Sequence, residues 1–386
     1  MNVLRLSGGL DPAMGGPSVT SVNSAIAAAR AGITTTFAFA DALDRSAAAP
    51  ATLAALEHAG VLVRRFPLVR WPGRTARRWG VSPALGRWAI AAARDYHVIH
   101  LHGAWQFLAP AALIARRRGA RIVLTPHESL TDFDIRQTPS PVMRGFKRAL
   151  RPLLLRGFDR VVAASALEAR DSVPPGLKQL VRPAVVHHAV FDERAERRAP
   201  AARPLEKARI TAGFIGRFHP KKNLEVAIRA VAGLSDGVRL MVAGDGPADY
   251  ALALQALARD SGAGARVEWL GFVSGAAKES FFDHIDVLLM PSEYECFGMA
   301  AAEALVRGVP VIVTPETGVA DAVAQHGCGE IVAADPAAIA QVLRRLLHEP
   351  ERLAHYAGRA SRAAQAEFSF AAHGAALRAV YDSVLA

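Results

Sequence analysis

Two glutamates, Glu295 and Glu303, lie eight positions apart in the stretch EYECFGMAAAEAL, whose other residues are mostly small or apolar. A pair of carboxylates can work as acid and base, for example in glycoside hydrolysis. Such a pair can also accept hydrogen bonds from the hydroxyl groups of a ligand. The spacing alone does not decide between these chemistries.

A second group of candidate residues is basic and follows the predicted strand RITAGFIG. Arg217, Lys221 and Lys222 occur within six residues, and Asn223 opens a predicted helix. Cations beside the free N–H groups of a helix N-terminus can bind a diphosphate. An ordinary solvated basic loop is the alternative interpretation of this segment.

Glycines and histidines follow other predicted strands. Gly15 and Gly16 come after the first strand, and their lack of a Cβ lets backbone approach a phosphate. They are not part of a GxGxxG run, so a nicotinamide site is not favoured. His102 and His127 end adjacent predicted strands, where each is either a ligand-binding or a structural residue. No cysteine or carboxylate lies at metal-ligand spacing with either of them.

The elements that must position these residues alternate short apolar runs with helical patterns, which is typical of parallel, doubly wound α/β sheets. Predicted strands occupy 2–8, 34–40, 61–66, 97–103, 121–127 and 160–165 in the first half, and 209–216, 238–244, 266–271, 284–291 and 309–315 in the second. We therefore expect two Rossmann-like domains whose ligands bind at the carboxyl ends of the strands, in a cleft where those ends face each other.

This arrangement gives the opening stretch a context. HIDVLLMPS is a predicted strand, EYECFG a loop at its carboxyl end and MAAAEALVRG a helix. Phe297, Gly298 and Met299 are expected to supply the first N–H groups of that helix. Glu295 lies in the loop and Glu303 more than one turn into the helix. Together they predict a clamp for a polyhydroxyl ligand that carries a phosphate.

The length of 386 residues favours two domains over one. A polar, proline-containing segment at 192–207 is the predicted linker. We predict a first domain at 1–195, which binds the acceptor, and a second at 196–370. The last helical pattern, 371–386, is a candidate for crossing back to the first domain.

The net charge of +11 comes from the first half of the chain, because residues 1–190 hold 25 Lys and Arg against 11 Asp and Glu. Such a field attracts phosphorylated partners, although it can also simply solvate the surface. Two cysteines, no signal-like start and no long apolar run predict a cytoplasmic protein, with peripheral attachment to the inner face of the cytoplasmic membrane left open.

The motifs in this order resemble the family 4 retaining glycosyltransferases of the GT-B fold. The resemblance rests on Arg217 and Lys222 in GRFHPKKN, on the E-x7-E glutamates of ECFGMAAAE, on the following GVPVIVT strand and on Gly15-Gly16. It covers nearly the whole chain, and is firmest between 209 and 330. It implies transfer of a hexose-type sugar from a nucleotide-diphosphate donor to a hydroxyl of a glycan or lipid-linked acceptor.

The resemblance also implies roles for the residues of the second domain. Arg217 and Lys222 would neutralise the donor diphosphate as the glycosidic bond breaks. Glu303 would accept hydrogen bonds from the ribose, and Glu295 would lie against the transferred sugar. The amides of Phe297, Gly298 and Met299 would bind sugar hydroxyls.

In the first domain, the family pattern implies that Gly15 and Gly16 approach the phosphate and that His127 lies near the sugar and the acceptor. Transfer would retain the anomeric configuration, with the departing phosphate helping to deprotonate the acceptor. No metal or other cofactor is expected. Two positions depart from the family: Cys296 replaces a common glycine, and HHAVFDE (187–193) replaces a common Asn-Gly-Val-Asp, which puts any role carried over to that segment in doubt.

The acceptor side of the first domain is basic. Residues 64–79 carry six arginines and two tryptophans, and residues 142–156 mix five basic residues with leucines. Such mixtures suit an anionic membrane interface, which leads us to expect a lipid-linked acceptor in polysaccharide or lipopolysaccharide assembly. An ordinary exposed loop is the alternative.

Other functions remain open at this point. A nucleotide-sugar epimerase or a sugar phosphorylase could use the same fold. Nucleic-acid binding is disfavoured, because the second half is acidic and contains no known binding module.

Overall fold

The computed structural model describes residues 1–10, 16–41, 48–69, 80–193, 209–234 and 237–386. These residues form two compact units: Met1–Asp192 together with Ser369–Ala386, and Glu193–Phe368. Each unit has its own parallel sheet. The predicted α/β fold with two doubly wound sheets is therefore confirmed.

The sheet of the first unit has seven strands in the order β3-β2-β1-β4-β5-β6-β7, all parallel. The strands are β1 (Asn2–Ser7), β2 (Thr34–Asp41), β3 (Leu62–Pro67), β4 (Val98–His102), β5 (Arg121–Thr125), β6 (Arg160–Ala163) and β7 (Ala184–Val185). The helices that the structure describes before residue 193 are α1 (Gly16–Arg30), α2 (Pro50–His58), α3 (Pro83–Ala92), α4 (Leu108–Arg116), α5 (Asp132–Gln137), α6 (Pro141–Leu155), α7 (Ala166–Ser172) and α8 (Lys178–Val181).

The central strands are buried on both faces. Leu4 and Leu6 of β1 belong to one hydrophobic cluster, whereas Val3 belongs to another. The parallel register pairs Ser7 with His102, and His102 with Thr125. This register brings the carboxyl ends of β1, β4 and β5 to one edge of the sheet, where the strand order reverses and ligands commonly bind.

The second unit repeats the strand order with six parallel strands, β10-β9-β8-β11-β12-β13. They are β8 (Ile210–Ile215), β9 (Val238–Ala243), β10 (Val267–Gly271), β11 (Val287–Met290), β12 (Val311–Val313) and β13 (Gly329–Ile331). The described helices of this unit are α9 (Leu224–Ala232), α10 (Ala248–Asp260), α11 (Gly275–His284), α12 (Met299–Val306), α13 (Ala320–His326), α14 (Pro336–His348) and α15 (Pro350–Phe368).

The last helix, α16 (Phe370–Leu385), belongs to the first unit. Ser369 caps it by accepting a hydrogen bond from the N–H of Ala372 at 3.1 Å. Gly374 lies so close to α1 that an added Cβ would be 2.6 Å from the carbonyl oxygen of Ala27. The buried side chains of His373 and Tyr381 reach into the core of the first unit.

All of the predicted strand runs are strands in the structure, shorter by a residue or more at most ends. The short strands β7 and β13 were not predicted. The predicted linker, 192–207, lies largely outside the described residues. Within the ranges described above, no helix combines the length and the apolar character that crossing a membrane requires.

Candidate functional site

The basic segment after β8 forms a tight loop. Arg217 is exposed, and it makes no hydrogen bond or ion pair with the described residues. Residues Pro220–Lys222 form a 3-10 turn, and Asn223, with φ of 50°, precedes α9. Burial, followed by the charges of Arg217, Lys221 and Lys222, lowers the pKa of His219. The loop is therefore electropositive.

The glycines of the turn after β9, GDGP (244–247), hold this loop in place. The N–H of Phe218 donates to the carbonyl oxygen of Asp245 at 2.6 Å. Gly244 has φ of 136°, and a Cβ there would lie 1.9 Å from the carbonyl oxygen of Gly216. Only glycine fits such a close backbone approach. The turn after β9 is thus a support for the basic loop.

The acidic loop after β11 contacts the basic loop directly. Lys222 Nζ forms an ion pair with Glu295 Oε1, and the N–H of Glu293 donates to the carbonyl oxygen of Lys221 at 2.8 Å. The backbone of Glu295 is fixed on its other side, where the N–H of Gly318 donates to its carbonyl oxygen at 2.8 Å. Two segments 73 residues apart in sequence therefore make one rigid site.

The helix after this loop begins at the predicted residue. Its first residue is Met299, and its N-cap is Gly298 with φ of 102°. Phe297 lies before the helix, and its buried ring packs against that of Phe368 at 5.5 Å. The N–H groups of Gly298 and Met299 have no hydrogen-bond partner among the residues that the structure describes. They are available to a ligand.

Glu303 has a partner that the sequence analysis missed. Lys278 Nζ, from α11, lies 2.7 Å from its carboxylate. Next to this pair, Arg307 contacts Glu279 and also donates to the carbonyl oxygen of Glu303 at 2.8 Å. No pattern around Lys278 distinguishes it in the sequence, because its role depends on the packing of α11 beside α12.

The first unit contains a pocket of about 320 Å³ at the carboxyl ends of its strands. Its size is within the range of small-molecule sites. Polar lining residues include Asp41, His127, Asp134 and Lys147. Lys147 Nζ lies 3.0 Å from Asp134 Oδ2 and 5.8 Å from the centre of the Trp105 ring.

His127 occupies a strained turn at this pocket. Both His127 and Glu128 have positive φ, at 50° and 70°, which is uncommon for residues other than glycine. Glu168 braces the turn, since its buried carboxylate accepts hydrogen bonds from the N–H groups of Glu128 and Ala164. Burial raises the pKa of Glu168 to about 7. Neither the strain nor this brace was visible in the sequence.

Two further predicted residues, Gly16 and His102, belong to the first unit. Gly16 is the first residue of α1, and no atom lies within 4 Å of an added Cβ. Gly15 lies outside the described residues. His102 ends β4, as predicted, and its Nδ1 is 3.1 Å from His127 Nε2. His188, from the segment that departs from the family, stacks on His127 with ring centres 5.8 Å apart.

The structure thus brings Lys222 and Glu295 together in the second unit, with Arg217, Gly298, Met299 and Glu303 on the neighbouring loop and helix. His127 lies apart from them in sequence and belongs to the first unit.

Comparisons with known proteins agree with this architecture. The family described as Glycosyl transferases group 1 matches residues 196–363, and the Glycosyl transferase 4-like domain matches residues 15–187. The D-inositol 3-phosphate glycosyltransferase of Streptomyces scabiei is 31% identical over 324 residues, with 77% of this chain and 70% of that protein covered.

Two further proteins are similar. The 2-deoxystreptamine glucosyltransferase of Streptomyces kanamyceticus is 29% identical, with 76% of this chain and 81% of that protein covered. The solved structure of Anabaena HepE in complex with UDP and glucose has a TM-score of 0.72 at 19% identity, and covers 99% of this chain and 100% of that one. The chain therefore belongs to the glycosyl transferase group 1 family and is a family 4 glycosyltransferase of the GT-B fold.

Proposed function

We propose that the protein is a retaining glycosyltransferase that moves a hexose from a nucleotide-diphosphate sugar to a hydroxyl of a glycan or lipid-linked acceptor in cell-surface polysaccharide or lipopolysaccharide biosynthesis. The observation that carries this proposal is the ion pair between Lys222 and Glu295. It joins a cation from the basic loop and a carboxylate from the acidic loop into one site.

In this proposal the second unit holds the donor. Arg217 and Lys222 bind the diphosphate and stabilise the charge of the leaving group. Glu303, oriented by Lys278 at 2.7 Å, accepts hydrogen bonds from the ribose. Glu295 and the N–H groups of Gly298 and Met299 bind the sugar. Since Glu295 contacts Lys222, sugar binding and diphosphate binding are coupled through that pair.

We propose smaller roles in donor binding for Phe297, Gly15 and Gly16. The side chain of Phe297 supports the loop from the core, and its N–H remains the proposed third donor to the sugar hydroxyls. Gly15 and Gly16 are proposed to approach the donor phosphate. HepE, which is named as a complex with UDP and glucose, supports a nucleotide sugar as the donor. No metal is proposed, since the two cations take the role of neutralising the diphosphate.

The pocket of the first unit is the proposed acceptor site, with His127 beside the reacting hydroxyl. Asp41, Asp134 and Lys147 give it donors and acceptors suited to a polyhydroxyl ligand. In a retaining reaction with front-face attack, the departing phosphate takes the proton of the acceptor. This assignment leaves no need for a protein base on that face of the sugar.

The helix α6 supports a membrane-bound acceptor. Its apolar stripe points outward: Val142, Phe146 and Leu153 are 82%, 52% and 63% exposed. Leu154 and Leu155 of the same helix are buried, and Arg151 Nη1 donates to the carbonyl oxygen of Leu130 at 3.0 Å. The same helix supplies Met143 and Lys147 to the pocket.

An anionic lipid surface fits this helix better than a second copy of the chain does. The helix contains no acidic residue, and Arg148 is exposed. Two copies would bring like charges together, whereas anionic headgroups are attracted to them. We therefore propose peripheral binding to an anionic membrane through α6. Of the predicted basic segment 64–79, residues 70–79 lie outside the described residues.

Co-sedimentation with liposomes checks the membrane proposal. We expect the protein to pellet with anionic liposomes and not with neutral ones, and the triple substitution of Val142, Phe146 and Leu153 by Ser to abolish pelleting. Phe272→Ser is the matched control, because Phe272 is 72% exposed in the second unit. Equal loss in the two variants, or no binding by the wild type at moderate salt, would refute the proposal.

The reaction itself is tested by product analysis with UDP- and GDP-sugars and a lipid-linked or glycan acceptor. We expect a product whose anomeric configuration matches that of the donor. An epimerase would instead change the donor without any acceptor, and a phosphorylase would require inorganic phosphate. Either result, or an inverted product, would contradict the proposed reaction.

A further inference from the structure

A buried guanidinium lies at the centre of a polar cluster below the pocket of the first unit. Arg5, in the central strand β1, is fully buried. Its Nη1 donates to Tyr381 Oη at 3.0 Å, and its Nη2 contacts Ser24 Oγ at 2.6 Å and His102 Nε2 at 2.8 Å. No described carboxylate forms an ion pair with it. Its partners are therefore all neutral groups.

Arginine can donate hydrogen bonds but cannot accept them. Each of the three partners must therefore accept from Arg5 and turn any proton of its own away from it. Each partner of Arg5 begins a chain of hydrogen-bonded groups, which we call a branch. Because Arg5 only donates, it fixes the direction of the hydrogen bonds in each branch. The branches end at Thr125, at the carbonyl oxygen of His187 and at His127.

The branch through Ser24 allows an independent check of this direction. Ser24 Oγ lies 2.7 Å from His373 Nε2, and His373 Nδ1 lies 2.6 Å from the carbonyl oxygen of His187. Because a carbonyl oxygen only accepts, His373 Nδ1 must carry a proton. The Nε2 of a neutral ring then accepts from Ser24, which agrees with Ser24 itself accepting from Arg5.

The branch through Tyr381 has the same direction. The Tyr381 hydroxyl accepts from Arg5, and so its proton is directed to His100 Nδ1 at 2.6 Å. A neutral His100 then carries its proton on Nε2 and donates to Thr125 Oγ1 at 2.8 Å. No donor in this branch faces another donor.

The third branch leads to the pocket. His102 Nε2 accepts from Arg5, so a neutral His102 carries its proton on Nδ1 and donates to His127 Nε2 at 3.1 Å. His127 must then carry its own proton on Nδ1. That nitrogen has no hydrogen-bond partner among the described residues, and the ring lines the pocket.

We propose that Arg5 is a positioning residue which, through His102, fixes His127 as a neutral imidazole with its proton on Nδ1, ready to donate a hydrogen bond to a hydroxyl oxygen of the bound ligand. A chain of two imidazoles has no preferred direction by itself, because each ring can exchange its donor and acceptor nitrogens. The permanent charge of Arg5 removes that choice. This role rests on the proposed function only for the identity of the ligand.

The surroundings keep these rings neutral. Burial, and then the charge of Arg5, lowers the pKa of His127 to about 4 and that of His102 well below its ordinary value. The rings of His100 and His102 are stacked with centres 4.6 Å apart, and the ring of His188 stacks on that of His127 with centres 5.8 Å apart. The nearby carboxylate of Glu168 is occupied by two backbone N–H groups.

This assignment changes what His127 can do in the reaction. With Nε2 occupied and Nδ1 protonated, the ring can hold an oxygen atom by donating to it, but it cannot take a proton from the acceptor. Deprotonation of the acceptor is then left to the departing phosphate of the donor. His127 contributes orientation rather than general base catalysis.

The test is to determine the tautomer of His127 directly. The NMR signals of the imidazole nitrogens are measured in the full chain labelled with 15N-histidine. A His127→Gln variant assigns the His127 signals. We expect the wild type to show a protonated Nδ1 and an unprotonated Nε2 at His127 from pH 8 to pH 6. A proton on Nε2, or a charged His127 ring at pH 6, would overturn the proposal.

Variants then test the role of Arg5. We expect Arg5→Met to convert His127 to a mixture of tautomers, whereas Ser24→Ala, which cuts a different branch, leaves His127 unchanged. If the first unit of Arg5→Met fails to fold, His102→Phe removes the same link and leaves the other two partners of Arg5. If folded Arg5→Met or folded His102→Phe keeps only the Nδ1–H tautomer of His127, the proposal is refuted.

These spectra need neither donor nor turnover. A nucleotide-sugar binding assay on the same samples reads the proposed function separately. Loss of donor binding with the expected tautomer would count against the function and not against the role of Arg5.

Discussion

At the scale of single residues, the two glutamates of the opening stretch differ in the cation that each one contacts. Glu295 contacts Lys222, which is also the proposed diphosphate ligand, whereas Glu303 contacts Lys278 of a neighbouring helix. Removing Glu295 therefore changes the surroundings of the reacting sugar and of the leaving group together. Removing Glu303 affects the proposed ribose contact and the ion pair with Lys278, but not the surroundings of Lys222.

We expect Glu303→Ala to weaken nucleotide binding roughly tenfold to a hundredfold, the range for a lost hydrogen bond to a charged group. Glu295→Ala should chiefly lower kcat. Lys278→Met should weaken binding about fivefold, because the pair is partly exposed. Calorimetric titration and steady-state kinetics measure these effects.

The matched control for Lys278→Met is Glu279→Gln, which breaks the adjacent ion pair with Arg307. It should leave nucleotide affinity unchanged. Equal losses in these two variants, or a loss of affinity with normal turnover in Glu295→Ala, would contradict the assignment of roles.

The buried histidines make stability depend on pH. Burial lowers the pKa of His373 to about 4, so below pH 6.5 the unfolded chain binds a proton that the folded protein does not. This contribution to stability is present above pH 6.5 and is lost as pH falls towards 4. For one such group the loss between pH 7 and pH 5 is about 2 kcal/mol.

We therefore expect His373→Gln to reduce the difference in unfolding free energy between pH 7 and pH 5 by about 2 kcal/mol. Urea titrations at the two pH values measure it. Glu168, whose raised pKa acts in the opposite direction, is present in both proteins and cancels in the comparison. If the difference in unfolding free energy between the two pH values is the same in His373→Gln and in the wild type, His373 is not held neutral in the folded protein.

Residues that act through local sequence were predictable, and those that act through packing were not. Glu295 and Lys222 each lie in a local pattern beside a strand end. Lys278 and Arg5 lie in ordinary helix and strand patterns, and their partners come from distant segments. An arginine between the apolar residues Val3, Leu4 and Leu6 of a predicted central strand is the one signal that could have pointed to the cluster.

At the scale of elements, the final helix depends on a close approach to α1. A Cβ at Gly374 would lie 2.6 Å from the carbonyl oxygen of Ala27, and the backbone cannot yield easily. We expect Gly374→Ala to destabilise the first unit by roughly 1–3 kcal/mol through overpacking. Thermal unfolding measures this change.

The matched control is Gly358→Ala in α15, where no atom lies within 4 Å of an added Cβ. There we expect a gain of roughly 0.5–1 kcal/mol from the better helix propensity of alanine. A stabilising effect at both positions would mean that α16 does not pack on α1 as closely as described.

Strand prediction succeeded where buried runs were long enough to show a pattern. It failed at β7 and β13, which have two and three residues and form only through pairing with a neighbouring strand. The composition of α6 was recognised as basic and apolar. The outward direction of its apolar face was not, because direction depends on which side of the helix the core occupies.

At the scale of the whole molecule, one strand order occurs twice. Both units place their candidate residues at the carboxyl ends of parallel strands, as the alternation of strands and helices in the sequence predicts. The identity of the sugar, in contrast, rests on a few hydroxyl contacts that neither the pattern nor the fold specifies.

The central claim is that the second unit binds a nucleotide-diphosphate sugar through the basic loop, and a thermal-shift panel tests it most directly. A ligand that binds the folded state raises Tm. With UDP-, GDP- and ADP-sugars, we predict that at least one raises the Tm of the wild type by several degrees and that Arg217→Ala loses most of this shift. No shift with any nucleotide sugar, or an equal shift in Arg217→Ala, would contradict the account.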